Sequence, residues 1–383
     1  ANGTTQTSHA DGSKVYVLPS STYTLATGIN SSETSLTFNT SSLSTNNQLT
    51  IPDYGILLID GEFMKYVIGQ EKVGNFIISQ SNYNNYQMTI GSVVLIGVFD
   101  GVHKGHQRLL DRAKEIADGR SVIALTFDPH PMHVFAPDRA PTLLTTLSDR
   151  VELLKIHNAD QVAVLKFNEK FAAMSPQDFV KDVLVGQLAA STVIVGKNFT
   201  YGNKAAGNVD SLIKDGLKFN FTVDVQELEA GDGQVISSSR IRSLVTDGHV
   251  EEARALLSRP HRLDGIVIHG EKRGREIGYP TANLGNLEGQ TIPCDGVYAG
   301  WLTVGINFWP AAISIGTNPT FEGVRARQVE AYAIDQVGLE LYDKNASIEF
   351  GWRLRDTLKF DGLEPLLAQM KLDCDRARSL TEQ

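Results

Sequence analysis

The chain has 383 residues, of which 42% are hydrophobic and 21% charged. At about 100–200 residues per domain, this length predicts two or three domains, and the apolar content is ample for packed cores. The formal net charge of −9 argues against nucleic acid as the main partner, because a nucleic-acid-binding surface needs an excess of basic residues. A small phosphate ligand is not excluded, since it needs only a local positive site.

Cysteine usage and hydropathy bear on the compartment. Cys294 and Cys374 are the two cysteines, too few and too widely spaced for a disulfide framework or a zinc site, which favours a reducing compartment. No run approaches the roughly 18 apolar residues of a membrane span, and no signal-peptide pattern opens the chain. We therefore expect a cytoplasmic protein with small-molecule partners and no membrane partner; self-association is left open. The chain begins at Ala1 rather than Met, as a fragment or a processed product would.

The first 90 residues differ in composition from the rest. They are rich in Ser, Thr, Asn and Tyr and contain no arginine. Short alternating runs at 35–39 and 54–59, with Asp60-Gly61 as a turn before 62–68, predict a small all-β module with a hairpin. A faint repeat relates 2–17 to 82–96. The phrase GILLIDGEFMKYV resembles modules of phage structural proteins, and a polar β appendage or linker is an equally good interpretation.

Strands and helices alternate from about residue 93. This alternation predicts a parallel, doubly wound sheet with right-handed crossovers. From about residue 260, short strands separated by Gly-rich turns predict a compact β-barrel, and 363–380 reads as a closing amphipathic helix. The expected domains are 1–90, 91–258 and 259–383. The predicted strands are 94–99, 122–127, 162–167, 192–195, 265–269, 296–304, 311–315, 330–334 and 346–350, and helices are expected over 107–118 and after Ser148 and Ser175.

A first phosphate site is predicted where the first strand of this sheet meets the first helix. The sequence from Gly97 reads GVFDGVHKGHQ. Doubly wound sheets bind ligands at the carboxyl ends of their strands, and a helix N-terminus favours phosphate. Gly101 and Gly105 allow the backbone to turn tightly, while His103 and His106 supply imidazole donors. The pattern therefore predicts an anion site at this junction.

Three further motifs follow in order: TFDPHP at 126–131, VGKNFTYG at 195–202 and ISSSRIR at 236–242. Together with the first motif they resemble the Rossmann-like FMN adenylyltransferase module of bacterial riboflavin kinase/FAD synthetases, in the nucleotidyltransferase superfamily. In such sites a phosphate of FMN attacks the α-phosphate of ATP, and protein donors stabilise the developing charge. The resemblance implies catalytic roles for His103, His106 and Arg242. It implies substrate contacts for Gly97, Phe99, Asp100, Gly105, Phe127, Asp128, Pro129, Asn198, Ser237 and Ser238.

A second phosphate site is predicted in 270–284, which reads GEKRGREIGYPTANL. It lacks the pattern of a Walker A loop. It combines a basic glycine-containing loop, with Lys272, Gly274 and Arg275, with the side-chain oxygens of Thr281 and Asn283, a set suited to ATP phosphates and Mg²⁺. On this chemistry alone, an ordinary solvated turn is an equally good interpretation.

The phrase GYPTANL resembles the signature of the riboflavin kinase module, which is a small β-barrel, and IGTNPTF at 315–321 and VEAY at 329–332 support the likeness. The resemblance implies that Glu330 is a general base for the ribityl 5′-hydroxyl as it attacks the γ-phosphate. It implies that Thr281 and Asn283 hold Mg²⁺ and ATP phosphates, and that Lys272, Gly274 and Arg275 bind nucleotide.

The implied function is bifunctional: riboflavin and ATP give FMN and ADP, then FMN and ATP give FAD and pyrophosphate, with Mg²⁺ in both steps. Two alternatives stay open. One is a single adenylyltransferase for another phosphorylated cofactor, with an inactive barrel. The other is a phage-particle or surface-binding protein that carries an enzyme-like body. The resemblance covers about 92–380, and residues 1–91 stand where family members have a short segment, as in a true fusion or in joined pieces of two genes.

Overall fold

The computed structural model describes residues 91–227, 234–270, 277–317 and 327–382, together with several short strands elsewhere. The chain divides into two compact units, 1–83 and 84–383. In the first unit β1 to β4 form an antiparallel sheet in that order. Ile59 lies opposite Glu62, which confirms the predicted hairpin, whereas 35–39 lies outside the described residues. The strands of this unit are β1 Gln6–Ser8, β2 Lys14–Val17, β3 Tyr54–Ile59, β4 Glu62–Val67 and β5 Phe76–Ser79.

The second unit begins with the predicted parallel sheet. Among the described residues, five parallel strands pair in the order β12-β9-β6-β7-β8. Every residue of the central strand β6 is buried. The strands of this half, which include four short strands that form two separate hairpins, are β6 Ser92–Ile96, β7 Ser121–Asp128, β8 Gln161–Lys166, β9 Ala190–Gly196, β10 Thr200–Tyr201, β11 Gly207–Asn208, β12 Thr222–Gln226, β13 Ala230–Gly231 and β14 Gln234–Val235.

Helices connect these strands. Helix α1 buries Leu110 and Ala113 against apolar residues of β6, including Val93 and Leu95, because side chains three apart lie on one face of a helix. The helices are α1 Lys104–Ile116, α2 Pro131–Phe135, α3 Leu147–Ile156, α4 Glu169–Ala172, α5 Pro176–Asp178, α6 Val209–Phe219, α7 Ser238–Thr246 and α8 Val250–Leu257, with a π-helix at Phe179–Val185.

Helix starts follow local capping chemistry. The predicted cap of α5 is confirmed, since the Ser175 hydroxyl accepts a hydrogen bond from the Asp178 N–H. The predicted N-cap of α3, Ser148, is two residues too late. Thr146 is its N-cap and accepts from the Asp149 N–H, so Ser148 is already helical. Two hydroxyl residues lay close together, and the earlier one caps the helix.

The rest of the second unit is the predicted barrel. Within the described residues it is closed by six strands in the order β15-β16-β19-β18-β17-β20. The C-terminal helix α9, Leu363–Thr381, packs Ala377 against Ala299 and Ile334 on the outside of the barrel. The barrel strands are β15 His261–Ile268, β16 Ala282–Gly285, β17 Gly296–Val304, β18 Asn307–Thr317, β19 Arg327–Ala333 and β20 Asn345–Arg355.

The parallel-sheet half and the barrel share an interface. Val250 of α8 belongs to the apolar cluster of the barrel. The Leu143 N–H donates to the Gly289 carbonyl at 2.7 Å, and the Thr291 N–H donates to the Leu143 carbonyl at 2.8 Å. These contacts attach the segment just before α3 to a barrel loop.

Two carboxyl groups meet at this interface. Arg262 Nη2 lies 2.7 Å from Asp264 Oδ1 and 3.5 Å from Asp149 Oδ1. Asp264 Oδ2 is buried and has no hydrogen-bond donor among the described residues. Burial and the neighbouring Asp264 raise the pKa of Asp149 to about 7. The pKa of Asp264 is lowered, because hydrogen bonds from Asp149, Ser347 and Arg262 outweigh its burial. A proton on Asp149 therefore supplies the missing donor.

This pair predicts a pH-dependent stability. A carboxyl whose pKa is raised on folding stabilises the folded state at low pH, and that contribution is lost as the pH rises from near 3.8 through about 7. We expect Asp149→Asn, which cannot ionise, to unfold at a higher temperature than the unaltered protein, and we expect this difference to be about 2–4 °C larger at pH 8 than at pH 5, the shift of a change near 1 kcal/mol. Thermal unfolding at both pH values measures this. Glu152→Gln, which alters an exposed carboxylate of α3, is the control. Equal unfolding temperatures of Asp149→Asn and the unaltered protein at pH 8 would contradict the raised pKa of Asp149.

Candidate active sites

The loop from 97 to 103 joins β6 to α1 and has an unusual backbone. Phe99, Gly101 and Val102 have φ angles of 54°, 81° and 40°. A left-handed conformation is costly for a β-branched residue such as Val102 and persists only where the surroundings enforce it. A Cβ at Gly101 would lie 2.9 Å from Leu144 Cδ1, so glycine is required there for space as well as conformation. Such strain is typical of ligand-binding loops.

The buried Asp100 carboxylate holds this loop in place through hydrogen bonds. It is 2% exposed and accepts hydrogen bonds from the N–H groups of Leu144 and Thr145 and from Arg242 Nη1, the last at 2.7 Å. Burial raises its pKa, although Arg242 lowers it. The Ser238 hydroxyl donates to the Asp100 carbonyl at 2.8 Å. The structure thus brings together three predicted site residues from distant parts of the sequence, and the fourth, Ser237, caps α7.

The two histidines lie side by side at the start of α1. Their rings stack with centroids 3.7 Å apart, and the Phe99 ring meets His106 edge-on at 5.2 Å. A Cβ at Gly105 would lie 3.2 Å from the His103 ring, so this glycine leaves room for the stack. Neither Nδ1 has a hydrogen-bond partner in the part of the chain that the structure describes. Both rings therefore keep unused hydrogen-bonding capacity beside a helix N-terminus.

Both imidazoles are neutral at neutral pH. Burial lowers the pKa of His103 to about 4, and the charges of Arg259 and Arg242 add to that effect. Burial and the adjacent His103 lower the pKa of His106 well below its ordinary value. A neutral imidazole has one N–H donor and one acceptor. The pair can donate hydrogen bonds to phosphate oxygens without binding a proton first.

This environment gives a direct spectroscopic prediction. In the free protein, we expect the ring resonances of His103 to show no titration between pH 8 and about 5, because its pKa lies near 4. Histidine-labelled NMR spectra, assigned with His103→Gln, measure it. The same residue in urea-unfolded protein should titrate near its ordinary value of about 6.5. A folded-state midpoint near 6.5 would contradict the burial argument.

The remaining predicted residues of this site lie along the same edge of the sheet, because parallel strands end together. Gly97 follows β6. Phe127 and Asp128 end β7, and the Phe127 ring contacts Phe167 edge-on at 5.8 Å. Pro129 comes next in the chain. Asn198 is exposed on the loop after β9.

Sequence reasoning missed a buried arginine beneath this edge. Arg150 of α3 is 1% exposed, its Nη1 donates to the Val98 carbonyl at 2.9 Å, and its Nη2 lies 3.9 Å from Asp128 Oδ1. Its Nε and Nη2 have no hydrogen-bond partner among the described residues. Its spacing in the sequence could have indicated this burial. Arg150 lies four residues before the buried Leu154 and therefore on the same, inward face of the helix.

The second candidate site lies on the barrel. Asn283 of β16 is directly opposite Glu330 of β19, and the Thr281 hydroxyl donates to Glu330 Oε2 at 3.0 Å. Val329 and Ala331 point into the barrel core. Because side chains alternate along a strand, Glu330 lies on the opposite face, and by the same argument so do Thr281 and Asn283. The structure therefore brings these three predicted residues together.

The donor set of this cluster fits Mg²⁺. A hydroxyl, an amide carbonyl and a carboxylate are hard oxygen ligands, and Mg²⁺ is typically held by one or two protein groups plus substrate phosphates. No group of three or more His, Cys, Asp or Glu that could bind a metal occurs in the described part of the chain. A Cβ at Gly270 would lie 2.5 Å from Asn283 Nδ2, so the basic loop begins next to the amide. The predicted Lys272, Gly274 and Arg275, and residues 318–321, lie outside the described residues.

A cavity of about 440 Å³ is lined by residues that lie two positions along the chain from Thr281 and from Glu330. Tyr279 and Tyr332 line it with ring centroids 5.2 Å apart, and Tyr332 lies two residues after Glu330 on the same face of β19. Helix α9 contributes Cys374 and Arg378 on the other side. Asp335, Lys371 and Asp375 also line the cavity, so its lining is partly aromatic and largely polar.

Comparisons with known proteins match both halves of the second unit. The sequence model of the FAD synthetase family matches residues 86–240, and that of the riboflavin kinase family matches 257–381. A bifunctional riboflavin kinase/FMN adenylyltransferase of Listeria monocytogenes is 40% identical over 289 residues, 74% of this chain and 90% of the relative. The protein of the same description from Bacillus subtilis is 37% identical, over 75% of this chain and 91% of the relative.

One solved structure is also similar across both halves. It is described as a macrolide-efflux protein from Streptococcus pneumoniae, with 32% identity, a TM-score of 0.68, and coverage of 75% of this chain and 94% of that chain. In the residues described for the present chain, no helix combines the length and apolarity needed to cross a bilayer.

The fold and the two sites define a two-domain enzyme with a nucleotidyltransferase domain and a kinase barrel. The chain belongs to the bifunctional riboflavin kinase/FMN adenylyltransferase family. The resemblance found in the sequence motifs is thereby confirmed.

Proposed function

We propose that this protein phosphorylates riboflavin to FMN with ATP and then adenylylates FMN to FAD with release of pyrophosphate. The observation that carries the proposal is the presence of two separate constellations, one in each matched domain. The first is the neutral His103–His106 stack at the start of α1, and the second is the hydrogen-bonded Thr281–Glu330 pair on the barrel. The first suits phosphate stabilisation and the second suits proton removal.

For the kinase reaction, the isoalloxazine ring of riboflavin occupies the cavity that Tyr279 and Tyr332 line, and the ribityl chain extends towards Glu330. Glu330 accepts the proton of the 5′-hydroxyl as its oxygen attacks the γ-phosphorus of ATP and ADP departs. Thr281 orients the carboxylate through its hydrogen bond. Thr281 and Asn283 would hold Mg²⁺, whose charge would neutralise the ATP phosphates, and Lys272, Gly274 and Arg275 would bind the nucleotide.

For adenylylation, a phosphate oxygen of FMN attacks the α-phosphorus of ATP, and the bond from that phosphorus to the pyrophosphate oxygen breaks. His103 and His106 donate hydrogen bonds to the reacting phosphates, together with free N–H groups at the start of α1. Arg242, oriented by Asp100, binds the departing pyrophosphate with help from Ser237 and Ser238. Asn198 contacts the ATP or FMN phosphates, and Phe127, Asp128 and Pro129 line the flavin or nucleotide cleft. Gly97, Phe99 and Gly105 shape the loop and the helix start that carry the histidines.

The product assay tests the proposal. The full chain is incubated with riboflavin, ATP and Mg²⁺, and flavins are separated by chromatography. We expect FMN to accumulate first and FAD to follow, and EDTA to suppress both. Production of neither flavin would overturn the proposal, and conversion of supplied FMN without use of riboflavin would favour a single adenylyltransferase. We further propose that the enzyme acts in the cytoplasm, where its free thiols, Cys294 and Cys374, stay reduced.

A further inference from the structure

The strained loop before α1 is held at every carbonyl from residue 98 to 102. The Val102 N–H donates to the Phe99 carbonyl within the loop at 3.0 Å. The other four carbonyls accept from side chains. The side-chain donors are Thr126 and Arg150 to Val98, Ser238 to Asp100, Arg259 to Gly101, and Gln107 to Val102. A backbone this far from relaxed geometry needs such external bonds.

One of these donors comes from outside the nucleotidyltransferase fold. Arg259 lies in the linker between α8 and β15, the first strand of the barrel. Its Nη1 donates to the Gly101 carbonyl at 2.9 Å and to the Leu257 carbonyl at 3.3 Å. Gln107 of α1 extends the connection, since its Nε2 donates to the Leu257 carbonyl at 3.1 Å and to Ser258 Oγ at 2.7 Å. The linker is therefore attached to both the loop and the helix that carry the histidines.

Packing adds to these bonds. A Cβ at Gly101 would lie 3.3 Å from Leu257 Cδ2, so the end of α8, next to the linker, also lies against the loop through apolar atoms. Burial lowers the pKa of Arg259 to about 10, although Asp149 and Glu349 raise it. The guanidinium thus stays charged at neutral pH, and a charged donor makes a stronger hydrogen bond to a carbonyl than a neutral one.

We propose that Arg259, in the linker between the two domains, is a positioning residue for FMN adenylylation, because it fixes the Gly101 carbonyl and with it the placement of His103. The inference rests on the proposed adenylyltransferase function. Gly101 is two residues from His103, and the intervening Val102 has the strained φ of 40°. Without the bond from Arg259, the loop can relax and carry the imidazole away from the phosphate it stabilises.

The expected kinetic signature follows from that role. Arg259 contacts the loop and not the flavin cleft, so its loss should lower kcat for adenylylation far more than it raises KM for FMN. Displacement of a catalytic group by about 1 Å can cost roughly 10²-fold. We expect Arg259→Leu, which keeps apolar bulk but removes the donor, to lower kcat roughly 10- to 100-fold on that scale. Arg259→Lys keeps the positive charge and a donor group, so we expect it to retain most of the kcat of the unaltered protein.

The kinase reaction of the same chain is the internal control. Riboflavin phosphorylation by Arg259→Leu should stay within about twofold of the unaltered protein, since in the described part of the chain the Arg259 side chain donates to the loop and to the end of α8 and not to the barrel cluster. A matched control is Arg262→Leu, which removes a nearby arginine that pairs with Asp149 and Asp264 instead of the loop. We expect the kcat of Arg262→Leu for adenylylation to stay within about twofold of that of the unaltered protein.

A second readout separates positioning from general destabilisation. The charged groups whose fields lower the pKa of His103 are Arg259 and Arg242, and its ring also stacks on the neutral His106. Removing the charge of Arg259 should raise the titration midpoint of His103 in NMR spectra of Arg259→Leu but not of Arg259→Lys. A protein that is merely less stable would keep the midpoint of its folded fraction.

The inference is overturned if Arg259→Leu adenylylates FMN with unchanged kcat, or if both activities fall in parallel with the folded fraction measured by thermal unfolding. It is also overturned if Arg262→Leu impairs adenylylation as severely. Failure of the proposed function would look different, because the unaltered protein would then make no FAD from FMN while the midpoint of His103 still responded to the charge at position 259.

Discussion

His106→Ala is expected to abolish FAD formation from FMN and to leave FMN formation from riboflavin intact. The His106 ring stacks on His103 at 3.7 Å at the start of α1, and its removal takes away a hydrogen-bond donor aimed at developing phosphate charge. Loss of one such donor typically costs roughly 10²–10³ in kcat. The alanine also unstacks His103, so the loss should lie at the upper end of that range.

The kinase activity should survive because the barrel cluster shares no residue with this loop. The two half-reactions are measured separately, with FMN and ATP or with riboflavin and ATP, on the same preparation. His249→Ala, which removes an exposed histidine of the same domain, is the matched control and should leave both reactions unchanged. Equal loss of both reactions in His106→Ala would contradict the assignment of His106 to the adenylylation site.

Glu330→Gln is expected to abolish riboflavin phosphorylation and to leave FMN-to-FAD conversion intact. Glutamine keeps the size of the side chain and can still accept the hydrogen bond that Thr281 donates at 3.0 Å to Glu330, but it cannot take a proton at neutral pH. General-base catalysis contributes roughly 10²–10⁴ in rate. The loss should therefore appear in kcat, with the KM for riboflavin nearly unchanged because the aromatic cavity is intact.

The control for this change is Glu340→Gln, which alters an exposed glutamate of the same domain. Net FAD production from riboflavin should stop in Glu330→Gln and resume when FMN is supplied. Riboflavin phosphorylation at an undiminished rate would show that another group takes the proton. Glu330 would then have no role in proton removal and would be a charged residue on the outer face of β19.

The local motifs could be interpreted from the sequence because their parts are consecutive. GVFDGVHKGH places two histidines and three glycines where a strand meets a helix, so the sequence alone predicts a phosphate site there. Arg150 and Arg259 could not be found in this way. The bond from Arg259 to Gly101 joins residues 158 positions apart, and nothing in the linker sequence indicates which carbonyl it meets.

In the barrel, the sequence predicted the site residues but not the strand on which they lie. Residues 281–284 were interpreted as ligands following a basic loop, yet Ala282–Gly285 is a strand of the closed barrel. Its pattern is short: Ala282 and Leu284 face the core and Asn283 faces away, too few positions for alternation to be recognised. The register that sets Asn283 opposite Glu330 depends on the whole barrel. The motif supplied the chemistry of these residues, and only the fold supplied their proximity.

A mixing experiment tests the central claim, that one chain carries two independent sites. His106→Ala and Glu330→Gln are each incubated with riboflavin, ATP and Mg²⁺, alone and together, and flavins are separated by chromatography. We predict that His106→Ala alone stops at FMN, that Glu330→Gln alone leaves riboflavin unchanged, and that the mixture makes FAD, because FMN released by the first enzyme is used by the second. A mixture that makes no FAD, with both variants inactive in both half-reactions, would contradict the two-site account.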